Sequence, residues 1–200
     1  MCSVPVPSNP FMHADQIQYL QDKLEQSKCF LEYGAGGSTR LAARMGVGQI
    51  YSVESDVEYS KKVTRSALAD RPDLNLTMKT PDIGVTGPWG RPVNNDKFRN
   101  WPRYSLDIWD DIRKSGHSPD LVLVDGRFRV ACFAASMIFC EENAEILFDD
   151  FVGRQRKYGI AAALCPPTRI IEKMAVFHVP ANRSFPELSA VLARYSCIPG

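Results

Sequence analysis

No hydrophobic run in this chain approaches the ~20 residues needed to cross a bilayer; the most apolar stretch is Val130 to Phe139. Metal-binding spacing is missing as well. The six cysteines (Cys2, Cys29, Cys132, Cys140, Cys165, Cys197) are scattered with no C-x-x-C, and His13, His117 and His178 stand alone. That excludes a zinc module and a disulfide framework, and predicts reduced, mostly buried thiols. His178 reads as a packed strand residue and His117 as an exposed turn residue. An excess of one charge is lacking too. Lys plus Arg number 24 and Asp plus Glu 23, leaving +1, which argues against a whole-surface nucleic-acid or anionic-membrane binder. Met1 to Pro10 has neither the basic nor the apolar region of a secretory signal, so a cytoplasmic protein is expected.

What remains is an ordinary globular composition, 44% hydrophobic and 24% charged with 13 Gly and 14 Pro. Disorder, collagen-like repeats and coiled coil are excluded. A chain of 200 residues buries roughly 70% of its unfolded surface without a staple. The expectation is one domain over 1–200, with an N-terminal arm at 1–11 and a C-terminal extension at 184–200. Whether it forms a homo-oligomer is left open.

Apolar patterning alternates between strands and helices. Ala14 to Gln26 reads as a helix and Cys29 to Glu32 as a strand entering the glycine cluster Gly34–Gly37. A helix over Ser38 to Met45 stops at Gly46. Gln49 to Val53 is the second strand, Ser55 with Glu58 predicts a capping box for a helix to about Asp70, and Leu74 to Met78 is the third strand. After a helix over Ser105 to Lys114, the run Leu121 to Val124 reads as a central strand buried on both faces. A helix over Arg129 to Phe139, a strand over Glu145 to Phe148 and a helix over Gln155 to Leu164 follow. Arg169 to Ile171 and Ala175 to Val179 predict an antiparallel hairpin, and Ser184 and Glu187 a cap for a last helix to Tyr195. Such alternation predicts an α/β, Rossmann-like, doubly wound and mostly parallel sheet with an antiparallel C-terminal hairpin.

The segment Glu32-Tyr33-Gly34-Ala35-Gly36-Gly37-Ser38-Thr39 joins the first strand to the next helix. A bare backbone there lets a nucleotide approach at the switch point of the sheet. Glu54 ends the second strand 18 residues after Gly36, close to the ~20-residue offset of an acid that holds ribose hydroxyls. The dinucleotide pattern G-x-G-x-x-G/A fails at Thr39, and no P-loop lysine follows. Glu32 would repel a pyrophosphate but suits a cationic ligand.

On these residues, E-Y-G-A-G-G-S resembles motif I of the class I S-adenosylmethionine-dependent methyltransferases, with Ser38 in place of the third glycine. The resemblance spans about residues 14–180 and is closest to small bacterial methyltransferase-like proteins of unassigned substrate. It implies that Glu32, Tyr33, Gly34, Ala35, Gly36 and Ser38 form the cofactor wall, with Glu32 near the methionine amino group. It implies that Glu54 binds the ribose, Asp82 and Ile83 flank the adenine, and Asp125 lies near the transferred methyl. Two alternatives share the fold: a non-catalytic adenosylmethionine-binding protein and an NAD-binding oxidoreductase.

Asp125, Asp149 and Asp150 sit at carboxyl ends of strands. Their placement resembles metal-dependent O-methyltransferases of the catechol type, which hold Mg²⁺ there. Here Asp-Asp replaces Asp-Asn, and Arg127 and Arg129 bring cations. A helix cap at Asp125 and ion pairing with Arg127, Arg129 or Arg154 is the preferred reading, with a metal held by the three acids as the alternative. The motif D-G-R-F argues against adenine or glutamine N-methylation, and Cys165-Pro166 is the wrong order for cytosine-C5 chemistry. Asp125 is the candidate general base. The loop Gly84 to Tyr104 carries Trp89, Arg91, Lys97, Arg99, Trp101 and Arg103, with only Asp96 opposing the cations. Lid and core plug are equal readings of it. Trp89, Arg91, Arg127 and Asp150 are the candidate contacts to a small-molecule acceptor, anionic or aromatic in the lid reading.

Overall fold

The computed structural model describes residues 5–200. Seven strands form one sheet: β1 (Cys29–Tyr33), β2 (Gln49–Val53), β3 (Leu76–Lys79), β4 (Leu121–Val124), β5 (Glu145–Phe148), β6 (Arg169–Ile171) and β7 (Met174–His178). Their order is β3-β2-β1-β4-β5-β7-β6. The first five run parallel, and β7 pairs antiparallel with both β5 and β6. The order reverses between β1 and β4, so their carboxyl ends flank the crevice where such sheets bind ligands.

Strand side chains alternate between faces, and the two cores follow that period. Leu31, Tyr33, Val122, Val124 and Phe148 face a core shared with α4 (Pro102–Ser115), α5 (Arg129–Phe139), α6 (Gln155–Leu164) and α7 (Phe185–Tyr195). Phe30, Ile50, Leu123 and Leu147 face the other core, with α1 (Ala14–Leu24), α2 (Gly37–Arg44) and α3 (Val57–Asp70). The same alternation sends Glu32 to the α1–α3 side and Tyr33 to the opposite one. Helix α5 is apolar nearly all round, because it is wedged between the sheet and helices α4, α6 and α7. None of the described helices is long and apolar enough to cross a membrane.

Several local expectations need correction. Ser55 does not cap α3; Asp56 does, accepting the Tyr59 amide at 2.8 Å. Ser184 precedes α7 but makes no side-chain cap. Strand β3 starts at Leu76, two residues later than expected, because Leu74 turns back to bond Arg71. His178 is not packed: its side chain is 43% exposed and pairs with Glu145 at 3.1 Å. The loop 84–104 has its own pattern, a Thr86–Pro92 bridge and two short 3₁₀ turns, Pro88–Gly90 and Phe98–Asn100. Two of its four cations are answered from outside: Lys97 by Asp82 and Arg103 by Asp107.

Candidate functional site at the carboxyl ends of β1, β2, β4 and β5

The glycine loop is shaped more by protein than by open space. Gly34 takes φ +97°, and a Cβ there would meet the Gly126 backbone at 2.8 Å. Only glycine permits both the left-handed turn and that crossing of the β1 and β4 ends. Gly37 is glycine for a reason the motif does not show. The N-terminal arm lies on it, and a Cβ would stand 2.2 Å from the Asn9 carbonyl oxygen. Arg40 and Arg44 tie the arm down through the carbonyls of Val6 and Ser8. Gly36 is the freer position, its missing Cβ 3.4 Å from the Tyr59 hydroxyl.

Glu32 lies beneath this loop with no exposed surface. Ser38 and Ser52 each donate to it at 2.5 Å, and Thr39 donates to the same carboxylate. Thr39 also accepts the Gly36 amide at 2.9 Å. The acid therefore braces the loop from below. Burial pushes its pKa up to about 7 against the pull of the three hydroxyls. Tyr33 is turned the other way. Its side chain is buried on the other face, donating to the Ser105 carbonyl at 3.0 Å and accepting from the Trp109 indole at 2.8 Å. It can offer a ligand only backbone. Ala35 and Ser38 are buried too.

Glu54, at the end of β2, is held differently. Its Oε1 accepts the Ser55 amide at 2.6 Å, the Asp56 amide at 2.9 Å and the Ser55 hydroxyl at 3.0 Å. Oε2 has no partner among the described residues, which leaves it for ligand hydroxyls. Burial raises the pKa of Glu54 despite those donors. Ser55 then reaches the Gly90 carbonyl at 2.9 Å, latching the tip of the 84–104 loop over this acid. Gly90 at φ +67° follows Trp89 at φ +61°, so two successive left-handed residues turn the loop here. The plug reading holds for Trp101, which is buried and donates to the Ile83 carbonyl at 3.0 Å, but not for Trp89, which is 80% exposed. Trp89 meets Phe11 of the arm edge-on at 6.5 Å, and Arg91 is exposed. Ile83 is buried, and Asp82 faces solvent beside Lys97.

The three strand-end acids converge on Arg129. Its guanidinium, almost fully buried, donates to the Asp125 carboxylate at 2.8 Å and to the Asp149 carbonyl at 2.6 Å. It also approaches the carboxylates of Asp149 at 3.9 Å and Asp150 at 3.7 Å. Gln16 donates to Asp149 at 2.8 Å and Arg154 pairs with Asp150 at 3.0 Å. The residues do not fit a divalent ion, because a protein cation already stands among them. No group of three His, Cys, Asp or Glu among the described residues could hold a metal. The ion-pair reading of Asp125 stands, but the cap reading does not: α5 is preceded by Phe128 at φ +53° without a side-chain cap. Burial, with Asp149 and Asp150 nearby, raises the pKa of Asp125, and Arg129 opposes the shift.

Thr39, Ser52, Tyr59 and Tyr104 belong to this site and carry no sequence signal of their own. Tyr104 is the least expected. Its buried hydroxyl fills the space where a Cβ on Gly126 would stand, at 2.2 Å.

No protein-family model matches the chain, and neither does any curated protein. Solved structures do. A methyltransferase-like protein from Silicibacter pomeroyi is 33% identical, covers 96% of this chain and 100% of its own, and superposes with a TM-score of 0.84. An O-methyltransferase from Bacillus cereus in complex with SAH is 15% identical over 86% of this chain and 82% of its own, at 0.54. An RNA methyltransferase from Salinibacter ruber in complex with S-adenosyl-L-homocysteine is 14% identical over 90% and 97%, at 0.50. The last two establish a shared fold alone, that of the Rossmann-like methyltransferases. With the first, the family follows: the chain belongs to the class I S-adenosylmethionine-dependent methyltransferases.

Proposed function

We propose that this protein moves the methyl group of S-adenosylmethionine to a small-molecule acceptor without a divalent ion. The observation that carries the reading is Glu54, whose Oε1 is fixed by two backbone amides while Oε2 is left for a ribose hydroxyl. The covered N-terminus of α2 supports the same ligand. A pyrophosphate would need those amides, but the arm crosses Gly37 there. Two carboxylates near the glycine loop add repulsion for a phosphate and attraction for a cation.

The bound cofactor supplies an electrophilic methyl on a sulfonium, so the protein's part is alignment and exclusion of water. Gly34 and Gly126 bring the β1 and β4 ends together, and the loop tip latched through Ser55 closes the ribose side. Asp125, about a third exposed, takes the acceptor's proton where there is one. Arg129 keeps that carboxylate in place and supplies the positive charge that a metal would otherwise bring.

Glu54→Gln keeps the shape and removes the charged acceptor. Calorimetry should show S-adenosylhomocysteine binding weakened about tenfold or more. Unchanged affinity would remove Glu54 from the cofactor site.

A further inference from the structure

Arginines in this protein are matched to acceptors at nearly every half-buried position. Arg40 and Arg44 share Asp70 and the arm carbonyls. Arg129 is saturated by the strand-end acids. Arg183 has a buried Nε without a partner, yet its terminal nitrogens hold the Pro180 and Cys140 carbonyls. Arg127 differs from all of these. Its Nε is buried and unpartnered, and among the described residues no side-chain hydrogen bond or ion pair satisfies the rest of its guanidinium. A buried donor left unmet costs stability, and such atoms call for a ligand or another explanation.

The place of this orphan is specific. Arg127 lies two residues beyond Asp125, in the turn from β4 into α5. Its amide donates to the Tyr104 hydroxyl at 3.3 Å, a phenol that burial holds well above its ordinary pKa. The same hydroxyl stands against Gly126, where the β1 and β4 ends cross at Gly34. Arg127 thus sits at the crossing of the strand ends that flank the crevice, on the side of the candidate base. The β2 end presents the Glu54 carboxylate; the turn after Asp125, whose own acids are taken up by Arg129, carries a fork with the geometry for an oxyanion.

We infer that Arg127 anchors an oxyanion of the methyl acceptor, making the acceptor class a small carboxylate or phosphate ester held beside Asp125. The inference rests on the methyltransferase reading of the cleft. The same chemistry could be met by the methionyl carboxylate of the cofactor, so the test has separate arms. Benzoate and phenyl phosphate serve as anion probes, followed through the ¹⁵N–¹H signal of the Arg127 side chain, identified by its loss in Arg127→Gln. S-adenosylhomocysteine and 5′-methylthioadenosine, which lacks the carboxylate, are titrated calorimetrically in parallel.

With S-adenosylhomocysteine bound, at least one anion should shift the Arg127 signal. Arg127→Gln should weaken that anion about tenfold or more, with partial recovery in Arg127→Lys. S-adenosylhomocysteine should stay within about threefold of its wild-type affinity. An Arg127 signal indifferent to both anions, or equal anion affinity in Arg127→Gln, overturns the inference. So does a large loss for S-adenosylhomocysteine with none for 5′-methylthioadenosine, which would give the guanidinium to the cofactor. If S-adenosylhomocysteine fails to bind the wild type, the methyltransferase reading falls, while the anion titration on the unliganded protein still decides the role of Arg127.

Discussion

Two acidic clusters lie at the same edge of the sheet and are held by opposite means. On the β1–β2 side, Glu32 is fully buried and surrounded by the hydroxyls of Ser38, Thr39 and Ser52. On the β4–β5 side, Asp125, Asp149 and Asp150 surround the guanidinium of Arg129. Neutral donors satisfy a carboxylate's hydrogen bonds but do not balance its charge, so the Glu32 proton is held up to about 7. A cation lets three carboxylates crowd together, yet burial and the neighbouring acids still raise the pKa of Asp125 to about 7 against the pull of Arg129. The first arrangement stiffens a loop that must face a cationic ligand. The second builds a cation into the protein, at a place where related chemistry recruits a metal.

Breaking the second cluster should have the largest effect. Arg129→Met removes the one guanidinium that all three acids share among the described residues and leaves the buried Asp149 and the partly exposed Asp125 without a cation. Denaturant unfolding should show a loss of about 3–5 kcal/mol. The opened acid cluster should also gain Mn²⁺ affinity measurable by calorimetry, which the wild type should lack. A variant as stable as the wild type would mean that the guanidinium is not what balances these acids.

Asp125→Asn tests the chemistry of the same cluster. It should lower the turnover of a proton-bearing acceptor by about 10²–10⁴-fold. In the wild type, the rate should fall as pH is lowered, with a midpoint above the ordinary carboxylate range, because burial and the neighbouring acids raise this pKa. A wild-type profile flat down to the normal range would remove Asp125 as the base.

Glu32→Gln sharpens the comparison from the other side. The folded-state pKa of Glu32 is raised from 4.5 to about 7. Its contribution to stability is therefore fully present below about pH 4.5 and is lost as pH rises toward 7. Unfolding free energy measured across that window should fall less steeply in Glu32→Gln than in the wild type. The neutral variant itself should cost about 1–3 kcal/mol where a hydroxyl loses its acceptor. Identical pH slopes would show that Glu32 titrates normally.

The smallest effect is expected from Ser55→Ala, which removes the latch to the Gly90 carbonyl. Stability should change by about 0.5–1.5 kcal/mol, while hydrogen exchange across 84–93 accelerates. No change in exchange would mean that the tip is held by other contacts.

Much of this layout is legible in the chain. The strand–helix alternation, the glycine loop and the acid at the end of β2 are local patterns, and local patterns survive folding. The rest depends on neighbours distant in sequence. Arg129 is legible as an ion-pair partner of the strand-end acids, but its burial among all three is not, because it depends on the order β1-β4-β5 bringing Asp149 and Asp150 beside Asp125. Gln16 reaches Asp149 across 133 positions, which no spacing rule anticipates. Gly37 looks like part of a ligand motif, yet its bare Cα is required by the arm. Ser55 has the residue type and spacing of a cap, but Asp56 lies one step nearer and wins the Tyr59 amide. Glu32 is legible as part of the glycine loop, but its three hydroxyl partners are not, because period-2 alternation sends it under the turn.

The central claim is that this crevice receives a positively charged nucleoside and refuses a phosphate-linked one. Calorimetric titration of the unliganded protein with S-adenosylhomocysteine and, separately, with NAD tests it most directly. The account predicts stoichiometric binding of S-adenosylhomocysteine that weakens in Glu54→Gln, and no measurable heat from NAD. Saturable binding of NAD, weakened by the same substitution, would contradict it.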